Sequence, residues 1–151
     1  MSSLVMLETL QFLATLSAAL FAGAAIYINV AEHPARMGLD TRSAAMQWAP
    51  SYQRATWMQA PLAIFSFLTG VGAWFLGGGH IWLVAAIFIG AVVPITFIVI
   101  MPTNRQLLAA ERDLGSAETR QLLERWGKLH GVRSIASAIA AILMLWGIFA
   151  A

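Results

Sequence analysis

The chain has 151 residues, of which 60% are hydrophobic and only 11% are Asp, Glu, Lys or Arg. Soluble domains carry about a quarter charged residues, so this composition excludes an ordinary soluble protein. Cysteine is absent, which excludes a disulfide, a thiolate metal site and a cysteine nucleophile.

Charged residues are missing from three long stretches: between Glu8 and Glu32, between Arg54 and Arg105, and after Arg133. The stretches are 23, 50 and 18 residues long. A helix needs about 20 apolar residues to cross a bilayer, so they predict one, two and one crossings. We therefore predict an all-α integral membrane four-helix bundle in one domain, residues 1–151, with spans at about 9–30, 56–76, 80–101 and 132–150.

The first span is expected to lead into a polar loop that ends near Arg54. The first eleven residues contain no Lys or Arg, so we interpret the first apolar stretch as a retained helix rather than a secretory signal. Spans two and three are separated by Gly77, Gly78 and Gly79, which predicts a tight turn.

The segment between spans three and four is expected to hold two amphipathic helices. Pro102 is predicted to end span three, and Thr103 with Gln106 forms a capping-box pattern for a short helix to about Asp113. Ser116 can cap a second helix that runs on into span four.

The cations predict the orientation of the bundle. All nine Lys and Arg residues lie in the first loop or in and beside the third. By the positive-inside rule those loops face the cytoplasm, which places both termini outside an inner (cytoplasmic) membrane. The net charge of +2 is explained by this topology, so no nucleic-acid partner is expected.

Polar side chains at helical spacing mark the cytoplasmic end of every span, and polar residues inside a membrane are usually functional. They are Asn29, His33 and Arg36 on span one; Tyr52, Thr56 and Gln59 on span two; Thr96, Thr103 and Asn104 on span three; and Trp126, His130, Arg133 and Ser137 on span four. Four such faces at one depth predict a shared polar pocket that opens toward the cytoplasm.

Arg133 is the cation that this pattern draws deepest into the membrane. The 18 residues after it barely cross a bilayer, so Arg133 either snorkels or sits inside. A guanidinium inside the bundle needs a partner, for which Glu32 or an anionic substrate are the candidates.

Simpler roles for these residues stay open. Interfacial anchoring would explain Trp126, Arg36 and Arg54, and hydrogen bonding between helices would explain Asn29, Gln59 and Thr96. His33 precedes Pro34 and could simply end span one.

Several kinds of chemistry fit the polar cluster. Glu32, His33 and His130 could supply three metal ligands, and His33 with His130 could ligate a haem. Without a metal, a histidine base, the Arg133 cation and aromatic walls suit proton removal from a flat aromatic substrate. A protein that binds a lipid, quinone, metal or haem without turnover, and a purely structural subunit, are the alternatives.

Four segments of the chain carry a family resemblance: AGAAIYINVAEHPAR, WAPSYQRATWMQAPLA, PITFIVIMPTNRQLL and RWGKLHGVRS. In this order, and covering nearly all the chain, they resemble the membrane proteins grouped as domain of unknown function 1772. That family includes the anthrone oxygenases of polyketide pathways. The resemblance implies conversion of an anthrone to an anthraquinone with molecular oxygen and no evident organic cofactor.

The positions that match the family are mostly the polar residues already found by spacing. They are His33, Pro34, Arg36, Trp48, Tyr52, Arg54, Gln59, Pro102, Thr103, Asn104, Trp126, His130 and Arg133. The implied mechanism has His130 or His33 remove a proton from the benzylic carbon, while Arg133 and Asn104 stabilise the enolate oxygen. The candidate substrate-binding residues are Asn29, Arg36, Trp48, Tyr52, Gln59, Thr96, Thr103 and Trp126. The expected partners are the lipid bilayer, a small lipophilic aromatic ligand and, as an open possibility, further copies of the chain.

Overall fold

The computed structural model describes residues 2–150 and places nearly all of them in four long helices. These are α1 (Ser3–Met37), α2 (Thr41–Gly78), α3 (His80–Leu107) and α4 (Ala117–Phe149). Each is long and apolar enough to cross a membrane, and residues 2–150 contain no strand. The prediction of an all-α protein with four membrane-spanning helices is confirmed, and the apolar helices fit a lipid bilayer.

Helix α2 begins much earlier than the second span was predicted to begin. Asp40 caps it, because its carboxylate accepts a hydrogen bond of 3.0 Å from the backbone nitrogen of Ser43. The helix then continues through Pro50 and Pro61. The predicted polar loop up to Arg54 is therefore wrong: loss of hydrophobicity marks where a helix leaves the bilayer, and not where it ends.

Helix α1 contains one wide turn at Ile28–Glu32, directly before Pro34. The backbone nitrogen of His33 donates to the carbonyl of Ile28, five residues back, in place of the usual four. A proline ring clashes with the carbonyl four residues before it, and a wide turn relieves this crowding. His33 therefore does not end the helix, which runs on to Met37.

Helix α3 repeats this device at Thr96–Ile100, directly before Met101 and Pro102. Here the nitrogen of Met101 donates to the carbonyl of Thr96, and the helix continues to Leu107. The prediction that Pro102 ends the helix is wrong. Thr103 consequently lies within the last turns of α3 and caps no separate helix, and the chain from 108 to 116 forms turns and bends.

Helix α4 begins as predicted. The Ser116 hydroxyl accepts a hydrogen bond of 3.2 Å from the backbone nitrogen of Thr119, and the helix runs without interruption to Phe149. The amphipathic segment and the fourth span are thus one helix of 33 residues.

Small residues pack the half of the bundle around the α2–α3 turn. Gly77 and Gly79 adopt φ angles of 90° and 89°, which only glycine adopts readily, so the predicted glycine turn is confirmed. A Cβ on Gly70 would lie 3.2 Å from the Cβ of Ala86 and 3.3 Å from Cε of Met144. The helices therefore approach closely there, in the way that small residues permit in membranes.

The opposite end of the bundle carries the α1–α2 and α3–α4 connections, and we call it the basic end. Its buried cluster is built on larger side chains, among them Trp48, Ile100, Leu123 and Trp126. The predicted polar residues lie along this half of the helices.

Candidate functional site

A hydrogen-bonded network joins α1 and α4 near the basic end. Asn29, in the wide turn of α1, donates from Nδ2 to the carbonyl of Gly127 at 2.9 Å. Its Oδ1 lies 2.8 Å from Nδ1 of His130 and accepts a hydrogen bond of 2.6 Å from the hydroxyl of Ser134. Three residues of α4 are thus tied to one amide on α1.

This network sets the tautomer of His130. The Asn29 Nδ2 donates to a carbonyl, so Oδ1 is the atom that faces His130, and an amide oxygen only accepts. In the neutral imidazole the hydrogen must then sit on Nδ1, which leaves Nε2 with a free lone pair. His130 is 2% exposed, and a positioned imidazole with a free Nε2 is suited to act as a base.

Arg133 lies one turn further along α4 and is held by two contacts. Its NH2 donates to Oε1 of Gln59 at 3.0 Å, and its guanidinium sits 5.3 Å from the centre of the Phe21 ring. Its buried Nε has no hydrogen-bond partner within residues 2–150. Glu32 does not pair with it, so that predicted partnership is wrong.

Glu32 instead belongs to a cluster around Arg36. The Arg36 guanidinium donates to the carboxylate of Glu32, to Oε1 of Gln47 and, at 3.2 Å, to the hydroxyl of Ser51. Its remaining nitrogen lies 3.2 Å from Nδ1 of His33. A guanidinium only donates, so Nδ1 of His33 is an acceptor and its lone pair is already used.

Trp126 joins the two histidines to an aromatic group on α2. Its ring centre lies 5.2 Å from that of His33 and 4.9 Å from that of His130. Trp48 meets it edge-on at 5.7 Å and stacks on Tyr52 at 5.1 Å, with the two planes 6° apart. Trp126 is only 3% exposed, so it is a buried wall and not an interfacial anchor.

The predicted residues of α3 stand apart from this network. Asn104 is fully buried and makes no hydrogen bond to His130 or Arg133, and both polar atoms of its amide lack a partner within the described chain. Thr103 is also buried. The Thr96 hydroxyl donates to the carbonyl of Val92 at 2.6 Å. The structure therefore brings together the residues of α1, α2 and α4, but does not bring Asn104 into hydrogen-bond contact with them.

The polar residues surround a chamber of about 10 Å³, which is close to the volume that a single water needs. Its lining includes Gln59, Tyr52, Trp126, His130 and Arg133. At this point of the described bundle the polar residues of α1, α2 and α4 share only this small chamber, because their side chains close on one another. That it opens toward the cytoplasm stays a prediction.

Two wider clefts flank the chamber on either side of α2. The cleft between α1 and α2 measures about 630 Å³, within the range of small-molecule pockets. It shares with the chamber the residues Ile28, Ser51, Ala55 and Gln59. A smaller cleft of about 190 Å³ between α2 and α3 includes Thr96 and shares Tyr52, Thr56 and Arg133 with it.

The three predicted metal ligands are not assembled within residues 2–150. Residues 2–150 contain no group of three or more His, Asp or Glu side chains that could hold a metal ion, so Glu32, His33 and His130 do not form the expected three-ligand set. His33 and His130 both pack against Trp126, so an indole lies next to both imidazoles.

Sequence reasoning missed four residues of the site: Gln47, Ser51, Gly127 and Ser134. The signal for Ser51 was present, because Ser51, Ala55 and Gln59 are spaced four apart, but this segment was predicted to be a loop. Gly127 gives no such signal. A Cβ at this position would lie 2.5 Å and 2.6 Å from Cδ2 and Nε2 of His33, a contact that only the folded structure reveals.

Comparison with known proteins gives the same family as the sequence motifs. The sequence model of the family described as Anthrone oxygenase matches residues 48–143. Anthrone oxygenase ptaC of Pestalotiopsis fici is 32% identical over 127 residues, which cover 72% of this chain and 86% of the relative. Anthrone oxygenase tpcL of Aspergillus fumigatus is 36% identical over 72 residues, which cover 46% of this chain and 45% of the relative.

No solved structure matches the chain. The matched residues include Gln59, Trp126, His130 and Arg133, whereas Asn29 and His33 precede them. With the family match covering more than half of the sequence, the chain belongs to the anthrone oxygenase family.

Proposed function

We propose that this protein is a membrane oxygenase that converts an anthrone-type polycyclic aromatic to the corresponding quinone with molecular oxygen. The observation that carries the proposal is the buried His130, held by Asn29 with its Nε2 free, next to the incompletely paired Arg133. Family membership supports the reaction class, and the 630 Å³ cleft beside the chamber supports a polycyclic ligand.

His130 acts as the base that converts the bound anthrone to its anion. His33 is the weaker candidate, because Arg36 already occupies its Nδ1. Arg133 stabilises the negative charge that develops on the substrate oxygen, as a fixed cation in a site of low dielectric does well. Tyr52 and Trp126 form aromatic walls of the chamber, and Trp48 packs against both.

The reaction balances with oxygen as the only co-substrate. The anthrone anion transfers one electron to oxygen, and the resulting radical and superoxide combine to form a peroxide at the benzylic carbon. The peroxide then takes up one proton, which balances the proton that the anthrone gave to the base. Loss of the remaining hydrogen from that carbon, with cleavage of the oxygen–oxygen bond, releases water and leaves the quinone carbonyl.

The remaining predicted residues take supporting roles in this proposal. Asn29 orients the base, Arg36 holds Glu32 and His33 in place, and Thr96 lines the smaller cleft. The positive-inside rule leads us to place the basic end at the cytoplasmic face of the inner membrane. From there a lipophilic substrate can enter the cleft from the bilayer.

The test is oxygen uptake and quinone formation by the purified protein in detergent, with 1,8-dihydroxyanthrone as substrate. We expect His130→Ala to lower kcat/KM by about 10²- to 10⁴-fold, the usual contribution of general base catalysis. His80→Ala is the matched control, because His80 is exposed at the opposite end of the bundle.

The rate of spontaneous substrate oxidation is measured in a reaction without protein and subtracted. Full activity in His130→Ala would remove His130 as the base. Absence of turnover by the wild-type protein above the spontaneous rate would contradict the oxygenase proposal and favour a protein that binds an aromatic ligand without turnover.

A further inference from the structure

Gln59 lines the chamber and has an unused hydrogen-bond donor. Its neighbour Arg133 donates to it, and a guanidinium has no acceptor, so the atom facing Arg133 is Oε1. Nε2 is then left over. Gln59 is only 1% exposed, and its buried Nε2 has no hydrogen-bond partner within residues 2–150.

Arg133 presents a second unused donor. Its Nε is buried without a partner, while Phe21 and Gln59 hold the rest of the guanidinium in place. Buried donors are normally paired, and each unpaired one costs about 1–3 kcal/mol. Within residues 2–150, three residues that line the chamber carry such a donor: Gln59, Arg133 and, at Nε1, Trp126. The donors of Gln59 and Arg133 belong to two side chains that contact each other, which indicates that one ligand atom completes both.

The size of the chamber defines that atom. A space of about 10 Å³ accepts one water-sized group, and the imidazole among the polar residues that line it is that of His130. A single oxygen that accepts from two donors and gives its own hydrogen to a base satisfies Gln59, Arg133 and His130. A water oxygen fits the same space. The acidic hydroxyl of a phenol or an enol is the group that can also transfer its proton to the base.

We propose, on the basis of the function given above, that the chamber binds the hydroxyl oxygen of the enol tautomer of an aromatic ketone, and that His130 takes the proton from this oxygen. The anthrone and its enol share one conjugate base, so either proton yields the same anion. In that ring system the oxygen and the reactive carbon lie on opposite sides of one six-membered ring. With the oxygen in the chamber, the carbon stands outside it.

The neighbouring cleft accommodates the rest of the substrate. Because Ile28, Ser51, Ala55 and Gln59 line both spaces, a ring system in the cleft between α1 and α2 can place one oxygen in the chamber. The carbon that reacts with oxygen then lies in the cleft. In this step the O–H bond breaks, its proton moves to Nε2 of His130, and its electron pair stays on an oxyanion bound by Gln59 and Arg133.

The inference is tested with 1,8-dihydroxyanthraquinone, a phenol that is not a substrate and whose ionisation shifts its visible absorption to longer wavelength. We expect the wild-type protein in detergent to bind this probe in its ionised form near neutral pH. Gln59→Leu and Arg133→Gln should each reduce the ionised fraction of bound probe at least tenfold. Gln53→Leu is the matched control, since Gln53 is an exposed glutamine on the same helix.

Gln59→Glu guards against a folding defect in the leucine variant. Its carboxylate can pair with Arg133 and keep the side-chain volume, yet it repels an oxyanion, so this variant should also lose the ionised probe. The inference is overturned if the Gln59 and Arg133 variants bind the ionised probe as the wild type does, or if the wild type binds it only in the neutral form.

Turnover separates this inference from the proposed function. If the protein oxidises 1,8-dihydroxyanthrone and Gln59→Leu does so at the wild-type rate, the oxygen site is wrong and the oxygenase assignment stands. If ionised probe binding depends on Gln59 and Arg133 but no turnover occurs, the oxygen site stands and the oxygenase assignment fails.

Discussion

Two arginines near the basic end, Arg36 and Arg133, differ in how completely their guanidinium groups are paired. Every nitrogen of the Arg36 guanidinium contacts a side chain, including the carboxylate of Glu32. Arg133 has one amide and one aromatic ring as partners, and its Nε is unpaired within residues 2–150. A buried charge whose hydrogen-bond donors are all paired thus supports the fold, whereas a buried charge with an unpaired donor is available for a ligand.

The largest expected effect is on stability, from Arg36→Gln. Removing one member of a buried pair leaves the other charge uncompensated, which typically costs about 3–5 kcal/mol. Since the Glu32 side chain is 21% exposed, we expect about 3 kcal/mol in the free energy of unfolding, measured with SDS in mixed micelles. The Glu32→Gln/Arg36→Gln double variant should recover part of this loss. If the double variant recovered none of it, the pair would not stabilise the fold.

The next effect is on activity, from Arg133→Gln. Removing a donor to a developing oxyanion typically lowers kcat by about 10²- to 10³-fold, and we expect this loss in the oxidation of 1,8-dihydroxyanthrone. The free energy of unfolding should change by no more than about 1 kcal/mol, because the lost contacts with Gln59 and Phe21 are offset by removal of the buried, unpaired Nε. If Arg133→Gln strongly destabilised the protein but kept normal activity, Arg133 would be a structural residue like Arg36 and not a ligand-binding one.

A smaller effect is expected from Gly127→Ala, which affects the His33 that contacts Arg36. The new Cβ would lie 2.5 Å from Cδ2 of His33, so the imidazole must move, at a cost of about 1–3 kcal/mol. Gly131→Ala, one turn along α4, is the matched control, because its Cβ would meet only Nδ2 of Asn29, at 3.9 Å. Equal unfolding free energies for the two variants would contradict this packing.

The smallest effect concerns Asp40, just beyond Arg36 at the start of α2. Its hydrogen bonds from Ser43 lower the pKa of the carboxyl below the ordinary value of 3.8. The cap therefore contributes full stability above that value and loses it as the pH falls through the lowered pKa. Asp40→Asn, which keeps the cap without the charge, should remove this part of the acid sensitivity of unfolding, and an unchanged pH profile would contradict it.

The polar residues of α1 show how far helical spacing can predict a site. Spacing correctly brought Asn29 and His33 to the same side as His130. It left Glu32 as a candidate partner for Arg133, whereas Glu32 pairs with Arg36, four residues further along the same helix. That pair has ordinary helical spacing, but the prediction that the helix ends near Val30 hid it.

The sequence by itself determined the membrane environment, the four helices and the family, and it predicted most of the residues of the candidate site, because hydrophobic length, helical periodicity and motif order are properties of the chain. Only the tertiary structure decided how the nitrogens of His33 and His130 are used, which arginine is fully paired and how large the space between these residues is. These properties depend on side-chain contacts between α1, α2 and α4, which join residues that are far apart in the sequence.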